Sequence, residues 1–453
     1  MAARHDVVVV GAGLAGLNAA LLLEDAGLDV VVVEAKPRVG GRIHSMRQLG
    51  ANAEAGGTFI GAGYRRLFAI AARFGLRLID VTPLLEFFRE QDFCLGTDII
   101  RQADWPTHRA NPFPERDKAL LPWNYHRVLT MRENPLAAPE NWLEPAHAAL
   151  DVSLDEWMRS LGLGDDVIRI GYNINPSFGA DATDVSALLM LFRAAFSKAQ
   201  RQHAPQDSIG FTVENGVECI TEAMAEGLHR EVLREHAVAA IDDDGRHVRV
   251  RCANGAAFDC DHVVCAIPCG ALRRIAIAPP LPEAQATAVA ELPSQPVTQI
   301  YLAAKTDFWR EDGYAPSLFT DSAAGMIAAA RAAADPSRVT HLTAWVMGAQ
   351  ARRLDRMTAA AAGRFVIGEI ERIRPAARDR LECIGLKSWG GDPYACGAWA
   401  YFRPGQIRAY AAAMGRAHGR LHFCGEHLGR SARGIEGALE AAETAAAGVS
   451  GRK

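Results

Sequence analysis

The sequence predicts an α/β protein that begins with a dinucleotide-binding unit. Three features near the N-terminus carry this prediction. They are an apolar, β-branched run over residues 5–10, a glycine-rich segment followed by helical apolar spacing over 17–26, and a buried run over Val30–Val33 that ends at Glu34. Strand, glycine turn, helix and strand follow one another within about thirty residues, as a dinucleotide fingerprint requires.

The turn Gly11-Ala-Gly13-Leu-Ala-Gly16 contains three glycines, and each has a separate role. Gly11 permits the tight turn, Gly13 lets the backbone approach a pyrophosphate, and Gly16 lets the helix pack closely on the strand. The first turn of the helix offers free N–H groups to phosphates. Glu34 follows at the distance expected of an acid that accepts hydrogen bonds from a ribose.

Composition excludes several other classes of protein. The 453 residues carry 49 Lys+Arg and 53 Asp+Glu, and this balance gives no reason to expect a nucleic-acid surface. The nine cysteines show no paired zinc-ligand spacing, so we expect reduced core thiols and no metal site. The sequence has neither a secretory signal nor an uncharged apolar stretch of about 20 residues, so we expect a cytoplasmic protein without a membrane partner.

The segment Glu34-Ala-Lys-Pro-Arg38-Val-Gly40-Gly41-Arg42 resembles the flavin amine oxidase superfamily. This superfamily includes monoamine oxidases, polyamine oxidases, L-amino acid oxidases and histone lysine demethylases. In this family the E-A-x-x-R-x-G-G-R run surrounds the FAD pyrophosphate, and its last arginine lies near the flavin. The resemblance therefore implies FAD as the cofactor, with contacts from Arg38, Gly41 and Arg42. Arginine also suits bidentate phosphate contacts.

Two further parts of the sequence are similar to the family, one at the flavin and one at the adenine. Glu54-Ala-Gly-Gly57-Thr58-Phe59 matches a block that passes close to the flavin ring. It implies cofactor contacts from Gly57 and Thr58, and Phe59 on the substrate side. The resemblance also implies that the backbone of Val238 touches the adenine.

The C-terminal part resembles the other half of the family site. Trp389, followed by Asp-Pro-Tyr and a glycine before Trp399, matches the W…D-P-Y-x-x-G-x-[YW] pattern. This implies Trp389 beside the flavin ring and Trp399 as one wall of an aromatic cage, whose π face favours an amine nitrogen.

Two glycine motifs complete the resemblance. They imply cofactor contacts from Gly425, Glu426, Gly434 and Ile435. The last two residues begin a helix whose positive end would face the flavin and stabilise negative charge on it.

The resemblance implies two interleaved domains. A Rossmann-like FAD-binding domain would comprise residues 1–80, 210–280 and 382–453, and an α+β substrate-binding domain would comprise 81–209 and 281–381. Within the latter, residues 102–145 are rich in Pro and Trp and predict irregular loops and short helices, whereas 182–202 predict a helix.

Three positions depart from the family pattern. Ala398 stands where mitochondrial monoamine oxidases bear the cysteine bonded to FAD, which predicts a non-covalent cofactor. Gly434 replaces the second cage tyrosine and leaves room for a bulkier substrate. Gln299 stands nine residues before Phe308, at the position of the lysine that holds a water against flavin N5. Gln299 lacks that charge, so reoxidation by O2 is expected to be slower, or another acceptor serves.

The function predicted is FAD-dependent oxidation of a small-molecule amine to an imine, which water hydrolyses to an aldehyde or ketone. O2 would reoxidise the flavin and give H2O2. The amine would bind unprotonated in an apolar cavity, so no Ser/His/Asp or Cys/His catalytic set is expected.

Alternative functions and partners remain open at this point. One alternative is an L-amino acid oxidase, although Thr58-Phe-Ile replaces the family's R-F-P block and other arginines, such as Arg193 or Arg353, would have to hold the carboxylate. A desaturase or dehydrogenase acting on a non-amine with another electron acceptor is a second, and a flavoprotein scaffold is a third. A homodimer also remains open.

Overall fold

The structure, a computed structural model, describes residues 4–50, 53–83, 90–205, 207–331, 335 and 337–451. Within these residues the strands are β1 (Arg4–Val10), β2 (Val30–Val33), β3 (His44–Ser45), β4 (Glu54–Gly56), β5 (Ile60–Gly61), β6 (Leu78–Asp80), β7 (Gln91–Leu95), β8 (Asp98–Ile100), β9 (Gly210–Val213), β10 (Val238–Asp243), β11 (Val248–Cys252), β12 (Ala257–Cys265), β13 (Ala276–Ala278), β14 (Val297–Ala304), β15 (Ser317–Thr320), β16 (Met326–Arg331), β17 (Val339–Met347), β18 (Leu381–Ser388) and β19 (Leu421–Phe423).

The α-helices of the same residues are α1 (Leu14–Asp25), α2 (Arg65–Arg73), α3 (Pro122–Arg132), α4 (Leu154–Ser160), α5 (Asp165–Ile168), α6 (Ala187–Arg201), α7 (Glu218–Glu226), α8 (Cys269–Leu272), α9 (Glu283–Glu291), α10 (Phe308–Asp312), α11 (Gly348–Leu354), α12 (Ala359–Ile373), α13 (Ala412–Met414) and α14 (Gly434–Ser450). Nowhere in the described parts is a helix long and apolar enough to cross a membrane.

The first sheet has the strand order β13-β10-β11-β12-β1-β2, and β19 also pairs with β12. β1 lies parallel to both β2 and β12. The valines of β1 and β2 are buried, as expected for parallel strands that are covered on both faces. Helices α1 and α14, from opposite ends of the chain, share one core beside this sheet. The two ends of the sequence therefore meet at the carboxyl ends of β1 and β2.

The second sheet has the order β18-β14-β17-β16-β15-β7-β8, and helices α11 and α12 share a core with it. Its strand β18 bears on one predicted boundary. The sequence predicts residues 382–388 in the FAD-binding domain, whereas β18 pairs along β14 of this second sheet from Leu381 to Ser388. The sequence motif that set the boundary starts only at Trp389, directly after this strand, so the motif could not show which sheet the strand joins.

The segment between the two sheets is helical and rich in aromatic residues. Residues 102–150 form short 3₁₀ turns and α3, as the Pro- and Trp-rich composition predicts. The helix predicted over 182–202 is α6, Ala187–Arg201. Trp105, Tyr125, Trp142 and Phe192 pack in one core that holds α3 and α6 together. This packing places both helices beside the second sheet.

Candidate active site

A cavity of about 470 Å³ lies at the carboxyl ends of β1 and β2, and segments from both ends of the chain line it. We call it the first cavity. Most residues predicted to contact the cofactor or substrate lie in its wall: Gly11, Gly13, Glu34, Gly41, Arg42, Gly57, Thr58, Phe59, Val238, Trp389, Trp399, Gly425, Glu426, Gly434 and Ile435. Gly16, Arg38 and Gln299 do not line it.

The glycine turn shapes one end of the first cavity. Gly11 has a φ of +102°, and a Cβ on Gly16 would lie 1.9 Å from the Gly11 carbonyl oxygen. Gly16 is thus the close-packing position between α1 and β1, outside the cavity wall. A Cβ on Gly13 would meet nothing nearer than 3.9 Å, so the backbone there stays open to the cavity. Because α1 has no side-chain cap, its first N–H groups are free to bind an anion.

Glu34 is fixed by the backbone at the end of β2. Its Oε2 accepts a hydrogen bond from the Ala12 N–H at 2.8 Å, and its Oε1 accepts one from the Lys36 N–H at 2.9 Å. A carboxylate has about four acceptor sites, so lone pairs remain for hydroxyl groups of a ligand. Val238 lines the same cavity.

Arg38 and Arg42 have different surroundings, although the sequence predicted cofactor contacts for both. Arg38 turns back on its own loop, where it donates to the carbonyl oxygens of Val39, Gly41 and Ile43 and pairs with a carboxylate on α7. It therefore shapes the loop, and its predicted contact with a cofactor has no support in the cavity wall. Arg42 does line the cavity.

The side chain of Glu426 ties together three segments around the cavity. Its Oε1 accepts hydrogen bonds from Arg42 Nη1 at 3.0 Å and from the Ala400 N–H at 2.8 Å, and Arg433 lies 3.7 Å from its Oε2. Burial acts to raise the pKa of Glu426, but the two guanidinium groups outweigh burial and hold it below its ordinary value. The Oε2 atom and Arg433 Nη1 are buried without hydrogen-bond partners, which fits a site for a polar ligand.

The start of α14 presents open backbone to the first cavity. Gly434 has a φ of +58°, and a Cβ there would meet nothing within 4 Å. The helix has no side-chain cap. The Glu436 carboxylate points elsewhere, because it accepts hydrogen bonds from the Arg66 and Leu67 N–H groups at the start of α2. The positive end of α14 is therefore available to a ligand in the cavity.

Two tryptophans, Trp389 and Trp399, form the aromatic wall of the first cavity. Trp389 is 2% exposed and donates from Nε1 to the Ala55 carbonyl oxygen at 2.8 Å. Trp399 donates from Nε1 to the Ser177 carbonyl oxygen at 3.0 Å, which ties it to the helical segment. The wall is open at Gly434, where a Cβ would meet nothing within 4 Å.

A second cavity of about 360 Å³ adjoins the first, and Thr58, Phe59 and Trp345 line both. It lies between the second sheet and α3. Much of its wall is apolar, with Trp123 and Phe319 among the contributors. The prediction of an apolar cavity is nevertheless incomplete, because polar and charged side chains also line it, among them Gln91, His126, Arg127, Tyr301, Arg331, His341 and the carboxylate of Glu54.

The two histidines of the second cavity are neutral near pH 7. Burial lowers the pKa of His126 to about 3, although a hydrogen bond opposes this, and lowers that of His341 to about 4. His126 Nδ1 lies 3.2 Å from the Gly171 carbonyl oxygen, so Nδ1 carries the proton and Nε2 is an acceptor. That Nε2 has no partner. No sequence motif indicates these two histidines, since each is a single side chain outside any recognised pattern.

Gln299 lies on β14 between the two cavities. Its neighbours on the same face of the strand are Val297, which lines the first cavity, and Tyr301, which lines the second. Gln299 is fully buried, its Oε1 accepts from the Tyr301 hydroxyl at 3.2 Å, and its Nε2 has no partner. A buried amide N–H of this kind suits a bound water. The role predicted for Gln299, holding a water against the flavin, stays a prediction.

A cavity with dinucleotide-binding features, built from both ends of the chain and adjoining a second cavity with aromatic residues in its wall, is the arrangement expected of an enzyme that uses a nucleotide cofactor. The sequence pattern of the flavin-containing amine oxidoreductases matches residues 14–450, and the chain belongs to that family. It is thus an enzyme with a flavin cofactor. Amine oxidase [flavin-containing] B of Sus scrofa is 28% identical over 98% of this chain and 86% of its own length. The Homo sapiens protein of the same name is 26% identical over the same shares.

Solved structures share the fold over the whole chain. Cyclohexylamine oxidase from Brevibacterium oxydans superposes with a TM-score of 0.79 at 23% identity, covering 99% of both chains. Wild-type putrescine oxidase bound to putrescine superposes with a TM-score of 0.76 at 24% identity, again covering 99% of both. These likenesses confirm the predicted two-domain fold.

Proposed function

We propose that the enzyme oxidises the C–N bond of a small-molecule amine to an imine, which water hydrolyses to an aldehyde or ketone. The observation that carries the proposal is the junction of the two cavities. Thr58, Phe59 and Trp345 line both, so a substrate in the second cavity would border a cofactor in the first. The relatives named above as amine oxidases support the same reaction class.

FAD fits the first cavity along its length. We assign the phosphates to the turn at Gly13 and to Arg42, the adenosine end to Glu34 and Val238, and the flavin end to Trp389 and the start of α14. FAD held by these residues would supply the two-electron redox chemistry: a hydride equivalent would leave the amine's α carbon, and two electrons with two protons would convert O2 to H2O2.

The surroundings of Ala398 support a non-covalent cofactor. Ala398 lines the first cavity at the position where some family members attach FAD through cysteine. The nearest cysteine in sequence, Cys396, is not in the cavity wall, and its Sγ contacts the Pro393 carbonyl oxygen at 3.3 Å.

The protein's own part in the reaction is to bind and orient the amine. Trp399 offers one aromatic face, held by its hydrogen bond to Ser177. The neutral His126 offers an acceptor, and the low pKa of this group means that it does not repel a cation. No base is required where the unprotonated amine is the form that binds.

The proposed domains are those predicted from the sequence, with residues 382–388 moved to the substrate-binding domain.

A product balance tests this proposal. Amines supplied to the purified holoenzyme in air should yield aldehyde or ketone, ammonia and H2O2 in equal amounts. Trp399→Phe keeps an aromatic ring and loses the indole hydrogen bond, whereas Trp399→Leu loses both. The loss in kcat/KM should therefore be much larger for Trp399→Leu. Oxidation of a non-amine without ammonia release would instead support a desaturase.

A further inference from the structure

Arg127 on α3 is a cation of the second cavity without a counter-ion. It lines the cavity and keeps a large accessible surface. Desolvation by the surrounding protein also lowers its pKa. None of the described carboxylates pairs with its guanidinium group, and that group has no hydrogen-bond partner among the described residues.

Arg193 on α6 is a second cation in the same region. Its guanidinium lies 4.5 Å from the ring centroid of Phe178, which itself lies 6.1 Å from the ring of Trp399. Burial and then repulsion from Arg127 and Arg433 lower the pKa of Arg193 to about 10. Within the described chain it too forms no ion pair with a carboxylate. The two arginines are therefore neighbours that repel each other near the aromatic wall.

Two enclosed arginines elsewhere in the described residues are paired. Arg374 binds Asp312 through two nitrogens at 2.7 and 2.8 Å, and Arg433 lies 3.7 Å from Glu426 and donates to the Ala400 carbonyl oxygen at 2.9 Å. An enclosed charge without a partner is costly, and a pair of like charges costs more. Charge compensation by a bound anion offsets that cost, which is how substrate sites use unpaired arginines.

We propose that the substrate carries a carboxylate as well as the amine, and that Arg127 binds this carboxylate while Arg193 adds positive potential. The inference rests on the proposed amine oxidation and narrows its substrates to amino acids. The guanidinium fork matches a carboxylate in shape and charge. The unpaired side-chain amide of Gln91 lies in the same cavity and can donate a further hydrogen bond to the carboxylate, whereas Nε2 of His126, an acceptor, can accept one only from the amine.

The position of this site differs from the one sought in the sequence. The family's R-F-P block follows the second glycine motif, where this chain has Thr58-Phe-Ile. Arg127 instead comes from α3, which belongs to the weakly patterned helical segment. The anion is thus held from the helical side of the cavity.

Binding of unreactive ligands tests the anion site without any turnover. The holoenzyme is titrated with benzoate and hexanoate, and with the neutral benzamide and hexanamide, while the flavin absorbance is followed. The carboxylates should bind about tenfold or more tightly than the amides, as expected for a charge-assisted pair. Arg127→Met should remove this preference, Arg127→Lys should keep part of it, and Arg201→Met, an exposed site on α6, should keep it all. Equal binding of acids and amides by the wild type would overturn the inference.

Matched substrate pairs then test the substrate class. Each pair joins a plain amine to its carboxylated form: phenethylamine and phenylalanine, 1,5-diaminopentane and lysine, propylamine and 4-aminobutanoate. We expect anaerobic flavin reduction to favour carboxylated members, and Arg127→Met to lower that preference through KM. Reduction by plain amines alone overturns the inference and leaves the proposed oxidation standing. Carboxylate binding without reduction by any compound supports the anion site and contradicts the oxidation.

Discussion

Arg42 donates a hydrogen bond to Glu426 at 3.0 Å, across 384 positions of the chain. Arg42 belongs to the loop after β2, and Glu426 follows β19, so the pair joins both ends of the sequence at the wall of the first cavity. Arg433 lies on the other side of the same carboxylate. The shape of the proposed FAD site therefore depends on this charge.

Replacement of Glu426 by glutamine should weaken retention of FAD. The amide keeps the size of the side chain but leaves two guanidinium groups without their counter-charge, a change that costs several kcal/mol where charges are enclosed. We expect the flavin-to-protein absorbance ratio after dialysis to fall well below that of the wild type. Glu443 on α14 is exposed and pairs with Arg66, and Glu443→Gln is the matched control. Equal flavin content in all three proteins would contradict the assignment.

Ala398 should become an attachment point for FAD when it is changed to cysteine. In the wild type, acid precipitation should leave the yellow flavin in the supernatant, because the cavity wall there presents only a methyl group. In Ala398→Cys, the colour should stay with the pellet. Cys396→Ser should behave as the wild type, since Sγ of Cys396 lies against a carbonyl oxygen. A yellow wild-type pellet would rule out the non-covalent cofactor.

Gln299→Lys should accelerate reoxidation of the reduced flavin by O2. The substitution places a positive charge at the junction of the cavities, where it stabilises negative charge that develops on O2. Stopped-flow mixing of the reduced enzyme with O2 measures this step directly. Lys305→Gln, on the same strand connection but bound to the Asp379 carbonyl oxygen, is the control. Identical oxidative half-reactions in wild type and Gln299→Lys would sink the idea.

Stability should fall as the pH drops below about 6.5, because buried histidines stay neutral in the fold. Burial, with repulsion from His262 in addition, lowers the pKa of His422 to about 4. The unfolded chain therefore binds more protons than the folded one between these values, and stability is lost as pH falls.

For His422 alone, this loss amounts to about 2 kcal/mol between pH 7 and pH 5. Urea unfolding at the two pH values measures it, and His422→Gln should flatten the dependence. His229, whose side chain is 77% exposed, provides the matched control, and His229→Gln should leave the slope as it is. An unchanged slope in His422→Gln would show that this histidine is not the source.

The sequence predicts many of the residues that line the first cavity and few of those that line the second. Gly11, Gly13 and Glu34 lie within one short segment, so their spacing alone indicates that they belong to one site. His126 and Arg127 lie on a helix with no motif, and their role appears only when α3 packs beside the second sheet. Arg38 matches a motif, yet its partners are loop carbonyls, which spacing cannot reveal.

Anaerobic mixing of the purified holoenzyme with substrate tests the central claim most directly. The flavin absorbance near 450 nm, a value typical of oxidised flavins, should bleach with an amine or amino acid and return when O2 is admitted, with H2O2 formed. Faster bleaching by the carboxylated member of each pair would agree with Arg127 as the residue that binds the substrate carboxylate. A flavin that stays oxidised with every amine and amino acid, but is reduced by a non-nitrogenous compound, would contradict the account.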